Sequence, residues 1–82
     1  MTVIAEPKLT SLYFRNGSSD KEYRAWIEVT EDGYVVNVAY GRRGASLATG
    51  TKTSSPVGYG KAVAIFEKLI AEKKRKGYTE GA

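Results

Sequence analysis

Residues 22–40 read EYRAWIEVTEDGYVVNVAY. Two alternating runs flank a short polar break, and a period of two is the mark of a half-buried β-strand. In the first run Tyr23, Ala25, Ile27 and Val29 share one face, while Glu22, Arg24, Trp26 and Glu28 share the other. The second run, 34–40, is rich in β-branched and aromatic residues, which suit a pleated sheet. Asp32-Gly33 reads as a two-residue hairpin turn. That turn would pair Glu31 with Tyr34, Val29 with Val36, Ile27 with Val38 and Ala25 with Tyr40. A slip of one residue would carry the apolar set to the solvent face, so the pattern defends its own register.

The flanks extend this hairpin into a domain. Residues 9–15 (LTSLYFR) alternate as a further strand, closed by the polar turn cluster Asn16 to Asp20. Residues 45–55 are Thr-rich and read as an edge strand or extended loop, with a kink at Gly50. The spacing of Ala62, Phe66, Leu69 and Ile70 predicts an amphipathic helix over 57–76, with Gly58 as N-cap and Gly77 as its stop. One helix with one apolar stripe must cover one sheet face. The expected fold is therefore α+β: a small antiparallel sheet of three to four strands packed on one face by a C-terminal helix. The expected organisation is an N-terminal arm at 1–8, a domain at 9–78 and a tail at 79–82.

Composition excludes more than it assigns. The 82 residues contain no cysteine and no histidine. Thiolate chemistry, disulfides, the commonest transition-metal ligand and the commonest catalytic acid/base are all missing. No apolar run approaches the length of a membrane span, and the cytoplasm is the expected location. Acids sit in or beside turns (Asp20, Glu22, Glu31, Asp32), where they serve geometry and solubility. Residues 44–53 contain glycines, Lys52 and Thr53, but their spacing does not make a phosphate-binding loop. No catalytic residue, metal ligand or cofactor is expected.

The net charge is +4, and its distribution is uneven. From Tyr40 to Ala64 there is no acid, while Arg42, Arg43, Lys52 and Lys61 all fall there. Within that window Tyr40-Gly41-Arg42-Arg43-Gly44 ends the third strand. Glycine permits close approach, arginine offers a planar fork that matches phosphate, and an aromatic face can stack on a base or sugar. Tyr40, Gly41, Arg42, Arg43, Lys52 and Lys61 are the candidate nucleic-acid contacts. Tyr13, Arg24 and Trp26, on the face away from the helix, are a candidate secondary contact or self-association patch. The run Lys73 to Lys76 could touch phosphates or simply cap the helix.

Taken together, these features resemble the WGR domain. The strand 23–29, the strand ending Ala39-Tyr40-Gly41-Arg42-Arg43-Gly44, the helix residues Ala62 and Phe66, and the close from Glu72-Lys73 to Lys76-Gly77-Tyr78 match in order. Tyr40 stands where the signature has Trp, so a bacterial stand-alone variety with Tyr-Gly-Arg-Arg-Gly is the nearest form. The resemblance implies a non-catalytic module that binds DNA, with RNA as the other candidate, at ends, nicks or breaks, accessory to repair or ligation. By position, Tyr40 would pack on a sugar or base and Arg42 would contact phosphate or a partner. The alternative it leaves open is a protein-interaction module that docks on a repair or ligase-type enzyme or self-associates. A monomer or weak homodimer is expected.

Overall fold

The structure is a computed structural model that describes residues 9–81; the expected arm at 1–8 lies outside them. The elements run β1 (Leu9–Asn16), β2 (Ser19–Thr30), β3 (Gly33–Arg42), β4 (Ala48–Thr51), α1 (Tyr59–Arg75) and β5 (Thr79–Glu80). The strands form one antiparallel sheet in the order β4-β3-β2-β1-β5. The expected α+β architecture holds, with five strands rather than three or four. No helix among the described residues is long and apolar enough to cross a membrane.

Alternation places the core. Leu12, Tyr23, Ala25, Ile27, Val36 and Val38 are buried on the sheet face that receives Ala62 and Phe66 of α1. Each fully buried aliphatic side chain contributes about 1.5–3 kcal/mol relative to exposure. Leu69, Ile70, Val63 and Ile65 close the edges of this layer.

The hairpin register differs from the sequence expectation by two residues. Thr30 faces Gly33, Val29 faces Tyr34, Ile27 faces Val36, Ala25 faces Val38, and Tyr23 faces Tyr40. The loop is therefore Glu31-Asp32. Both keep negative φ, because no non-glycine residue among the described ones has a positive value. An Asp-Gly primed turn would need positive φ at both central positions. Instead Gly33 enters the strand at φ 143°. Thr30 Oγ1 donates to the Gly33 carbonyl at 3.0 Å and accepts from the Asp32 N–H at 3.3 Å, which ties the turn. The shift is even, so every side chain keeps its face. Val29 loses its expected core place: opposite Tyr34, near the hairpin tip, it is exposed.

A distant contact selects this turn. Val57, expected in the helix, instead bridges Tyr34: the Tyr34 N–H donates to the Val57 carbonyl at 2.8 Å, and the Val57 N–H returns the bond at 2.9 Å. This brings the Val57 carbonyl to 2.7 Å from where a Cβ on Gly33 would lie. Gly33→Ala is therefore expected to destabilise the fold by about 1–3 kcal/mol, from φ strain and the lost Val57 bridge. Urea unfolding of the variant measures it; an unchanged midpoint would mean the bridge is not needed.

The C-terminus is less of a tail than expected. Thr79 and Glu80 pair with Tyr13 and Leu12, the Gly81 N–H donates to the Ser11 carbonyl at 3.1 Å, and Lys74 pairs with Glu80 at 2.6 Å. β4 likewise runs through Gly50 without a kink, each residue paired with β3.

Candidate nucleic-acid interface

Two structural events make a cleft. The first is the end of β3, where Tyr40 and Arg42 fall on the same side of the sheet as Tyr23 and Lys21, their partners on β2. The second is the end of α1. There the Gly77 N–H donates to the Lys74 carbonyl at 3.0 Å and the Tyr78 N–H to the Lys73 carbonyl at 3.1 Å. This is the Schellman arrangement, and it requires the positive φ that Gly77 adopts, 105°. It folds Tyr78 back against Phe14 (ring centroids 5.4 Å apart) and Tyr23 (6.3 Å).

Between these ends lies a cleft of about 610 Å³. Tyr40, Tyr23 and Tyr78 give it aromatic walls, and Lys21, Arg42, Lys52 and Lys73 give it charge. The Tyr23 and Tyr40 rings lie 6.2 Å apart and nearly parallel. Tyr23 is buried, while Tyr40 is 46% exposed, so one ring is floor and the other offers a free face. The Lys73 ammonium rests 4.5 Å from the centre of the Tyr23 ring and 5.8 Å from that of Tyr78. Ser18, Ser19 and Asp20 form the lip.

The electrostatics of the cleft are dominated by its cations. Burial pushes the Lys73 ammonium below its ordinary range, and the charges of Lys76, Lys52 and Lys21 push it the same way, against the opposing pull of Glu72. An incoming anion would relieve all the repulsive contributions together. Burial raises the Tyr23 phenol, helped by Glu72, Tyr40 and Tyr78, so its hydroxyl stays protonated and can donate.

The candidate residues divide. Tyr40, Gly41, Arg42 and Lys52 line the cleft together. Arg43 does not; its backbone N–H donates to the Asp20 carbonyl at 2.9 Å, and its guanidinium stacks 4.5 Å over Tyr13. Lys61 lies exposed in the first turn of α1, outside the cleft lining. Tyr13, Arg24 and Trp26 are committed locally. Arg24 pairs with Glu22, while the Trp26 ring N–H donates to Glu28 at 3.3 Å. Glu28 in turn accepts from Asn37 at 3.0 Å, and Asn37 accepts from Thr51 at 2.9 Å.

Sequence reasoning did not place Lys21, Tyr23 and Tyr78 at the cleft and left Lys73 undecided. The signal for the first pair was present: Lys21 and Tyr23 share the strand face of the core. For Lys73 and Tyr78 it was the Lys-Gly-Tyr close, whose glycine sends the chain back over the last turn.

Among the described residues no three His, Cys, Asp or Glu gather as a metal site would need. No curated protein and no solved structure matches the chain. The family model of the WGR domain matches residues 10–82, from the second residue of β1 to the C-terminus. With a match over nearly the whole length, the chain belongs to the WGR domain family, a family of nucleic-acid-binding modules.

Proposed function

We propose that this protein is a non-catalytic module that binds DNA at ends, nicks or breaks, in the service of repair or ligation. The observation that carries the reading is the half-exposed Tyr40 ring set among Arg42, Lys52, Lys73 and Lys21 in one cleft. A nucleotide needs both parts: a flat face for base or sugar, and cations for phosphate. The cleft is bounded on one side by Lys73 at the end of α1 and by Tyr78 beyond it. That shape suits a strand terminus or a disrupted step, whose base or sugar edge is free, better than the interior of an intact duplex. Arg43, held over Tyr13, takes no part in this contact.

So small a surface reaches few phosphates, so affinity should be about micromolar and strongly salt-dependent. The test is a titration of labelled intact, nicked, blunt-ended and single-stranded DNA at two salt concentrations. The expected order places ends and nicks above an intact circle of the same sequence, with affinity falling steeply as salt rises. Equal affinity for circle and broken duplex would remove end recognition, and a flat salt response would remove the electrostatic account.

A further inference from the structure

We infer that the outward face of α1 is a second phosphate-binding surface, which holds the body of a duplex while the cleft holds its end. This rests on the nucleic-acid reading of the cleft. The core side of the helix is fixed by Ala62 and Phe66. At about 100° per residue, Lys61, Ala64, Lys68, Ala71 and Arg75 fall in a stripe on the opposite side. All five are exposed.

Three features make the stripe more than a solvated helix back. Among the described residues, no ion pair joins Lys61, Lys68 or Arg75 to an acid, whereas Arg24 pairs with Glu22 and Lys74 with Glu80. The helix carries only two acids, Glu67 and Glu72; Glu67 falls off the stripe and Glu72 borders it, one turn from Lys68 and Arg75, so the three cations of the stripe outnumber the acid beside them. The residues between the cations are alanines, so nothing bulky keeps a backbone away. Successive cations are seven residues apart, about 10.5 Å along the axis. That is close to the width of the DNA major groove, about 12 Å, so neighbouring cations can reach phosphates on its two sides.

The partner's chemistry follows from the pattern. The stripe has charge but no aromatic or large apolar side chain, so it can neither stack on unpaired bases nor enter a lipid layer. A regular row of phosphates is what it matches. It is also continuous with the cleft. At the C-terminal end of α1, Arg75 is followed by Lys76, whose charge is felt at Lys73 inside the cleft. Lys61, which the cleft leaves out, belongs to this second surface.

The experiment compares the intact chain with the triple variant Lys61→Gln, Lys68→Gln and Arg75→Gln. Glutamine keeps the helix and removes the charge. The probes are a duplex of about two helical turns, a short single-stranded oligonucleotide with the same terminal sequence, and anionic phospholipid vesicles. On the duplex, the slope of log affinity against log salt should fall by about 0.9 per lost phosphate, up to about 2.7. On the single strand, affinity should be unchanged. Lys68→Gln alone, at the centre of the stripe, should lower the duplex slope by about 0.9, which keeps the test alive if the triple variant folds poorly. Equal losses on both nucleic-acid probes would overturn the inference, as would an unchanged duplex slope. Loss of vesicle binding with duplex binding intact would assign the stripe to membranes instead. Failure of the cleft reading is separately visible: an Arg42→Ala chain that still binds the single strand like the parent refutes the cleft, whatever the stripe does.

Discussion

Phe66→Ala is expected to cost about 3–5 kcal/mol, the largest loss of any single truncation in this fold. A domain of this size has roughly 0.05–0.15 kcal/mol of stability per residue, about 4–12 kcal/mol in all, so the change consumes a large part of the margin. Phe66 is 5% exposed and is the largest side chain that α1 drives into the sheet. Its neighbours Leu12, Ile27, Val36 and Val38 are each at most 1% exposed and sit on rigid strands, so the gap cannot close by local collapse. No disulfide is present to hold the domain together once that layer is lost. Thermal and urea unfolding followed by helical circular dichroism measure the cost. A loss below about 1 kcal/mol would mean that α1 is held by its ends, through Val57 and β5, rather than by its core stripe.

The same core layer explains why the architecture was readable in advance. The sheet faces follow from alternation alone, and an error of two residues in register leaves alternation intact. Ala25, Ile27, Val36 and Val38 therefore occupy the expected layer although each meets a different partner. What could not be read locally was set by residues far along the chain. Asp32-Gly33 is the stronger turn signal in isolation, yet the Val57 bridge to Tyr34 pulls Gly33 into the strand. The fifth strand has the same origin. Thr79 and Glu80 carry too little pattern to announce a strand and pair with β1 only because Gly77 reverses the chain beside it.

The candidate site divides along the same line. Tyr40, Gly41 and Arg42 were legible because strand, aromatic and arginine are consecutive. The opposite wall was not, because Lys73 and Tyr78 reach the cleft only through the helix stop. Arg43 parts from the cleft for a simple reason. A strand end alternates, so the residue next to Arg42 falls on the other side of the sheet, over Tyr13.

Arg42→Ala combined with Lys73→Gln should all but abolish binding to broken DNA while leaving the fold intact. Each change removes one cationic contact worth about 1–3 kcal/mol. If the two act independently, the loss is about 2–6 kcal/mol, at least roughly thirtyfold in affinity. Arg42 is exposed, and its removal opens no cavity, so its own stability cost should stay within about ±0.5 kcal/mol. Lys73 has an internal signature that makes the test sharper. Its pKa in the folded chain lies below the ordinary value of 10.5, chiefly because the ammonium is partly buried. Below the lowered value both folded and unfolded chains hold the proton, and the folded one carries the penalty. Stability therefore rises with pH between the lowered value and 10.5, and Lys73→Gln should flatten that rise. Binding runs the other way: a phosphate favours the ammonium, so affinity should fall as pH climbs through the lowered value. The parent should show both trends and the double variant neither. Arg43→Ala is the control for Arg42→Ala alone, with the same loss of one charge outside the cleft; it should forfeit only its stacking on Tyr13, about 0.5–1 kcal/mol of stability, and keep its grip on the end. Should Arg43→Ala lose as much affinity as Arg42→Ala alone, net charge rather than the cleft governs binding. Should the double variant bind like the parent, the cleft is not the nucleic-acid site.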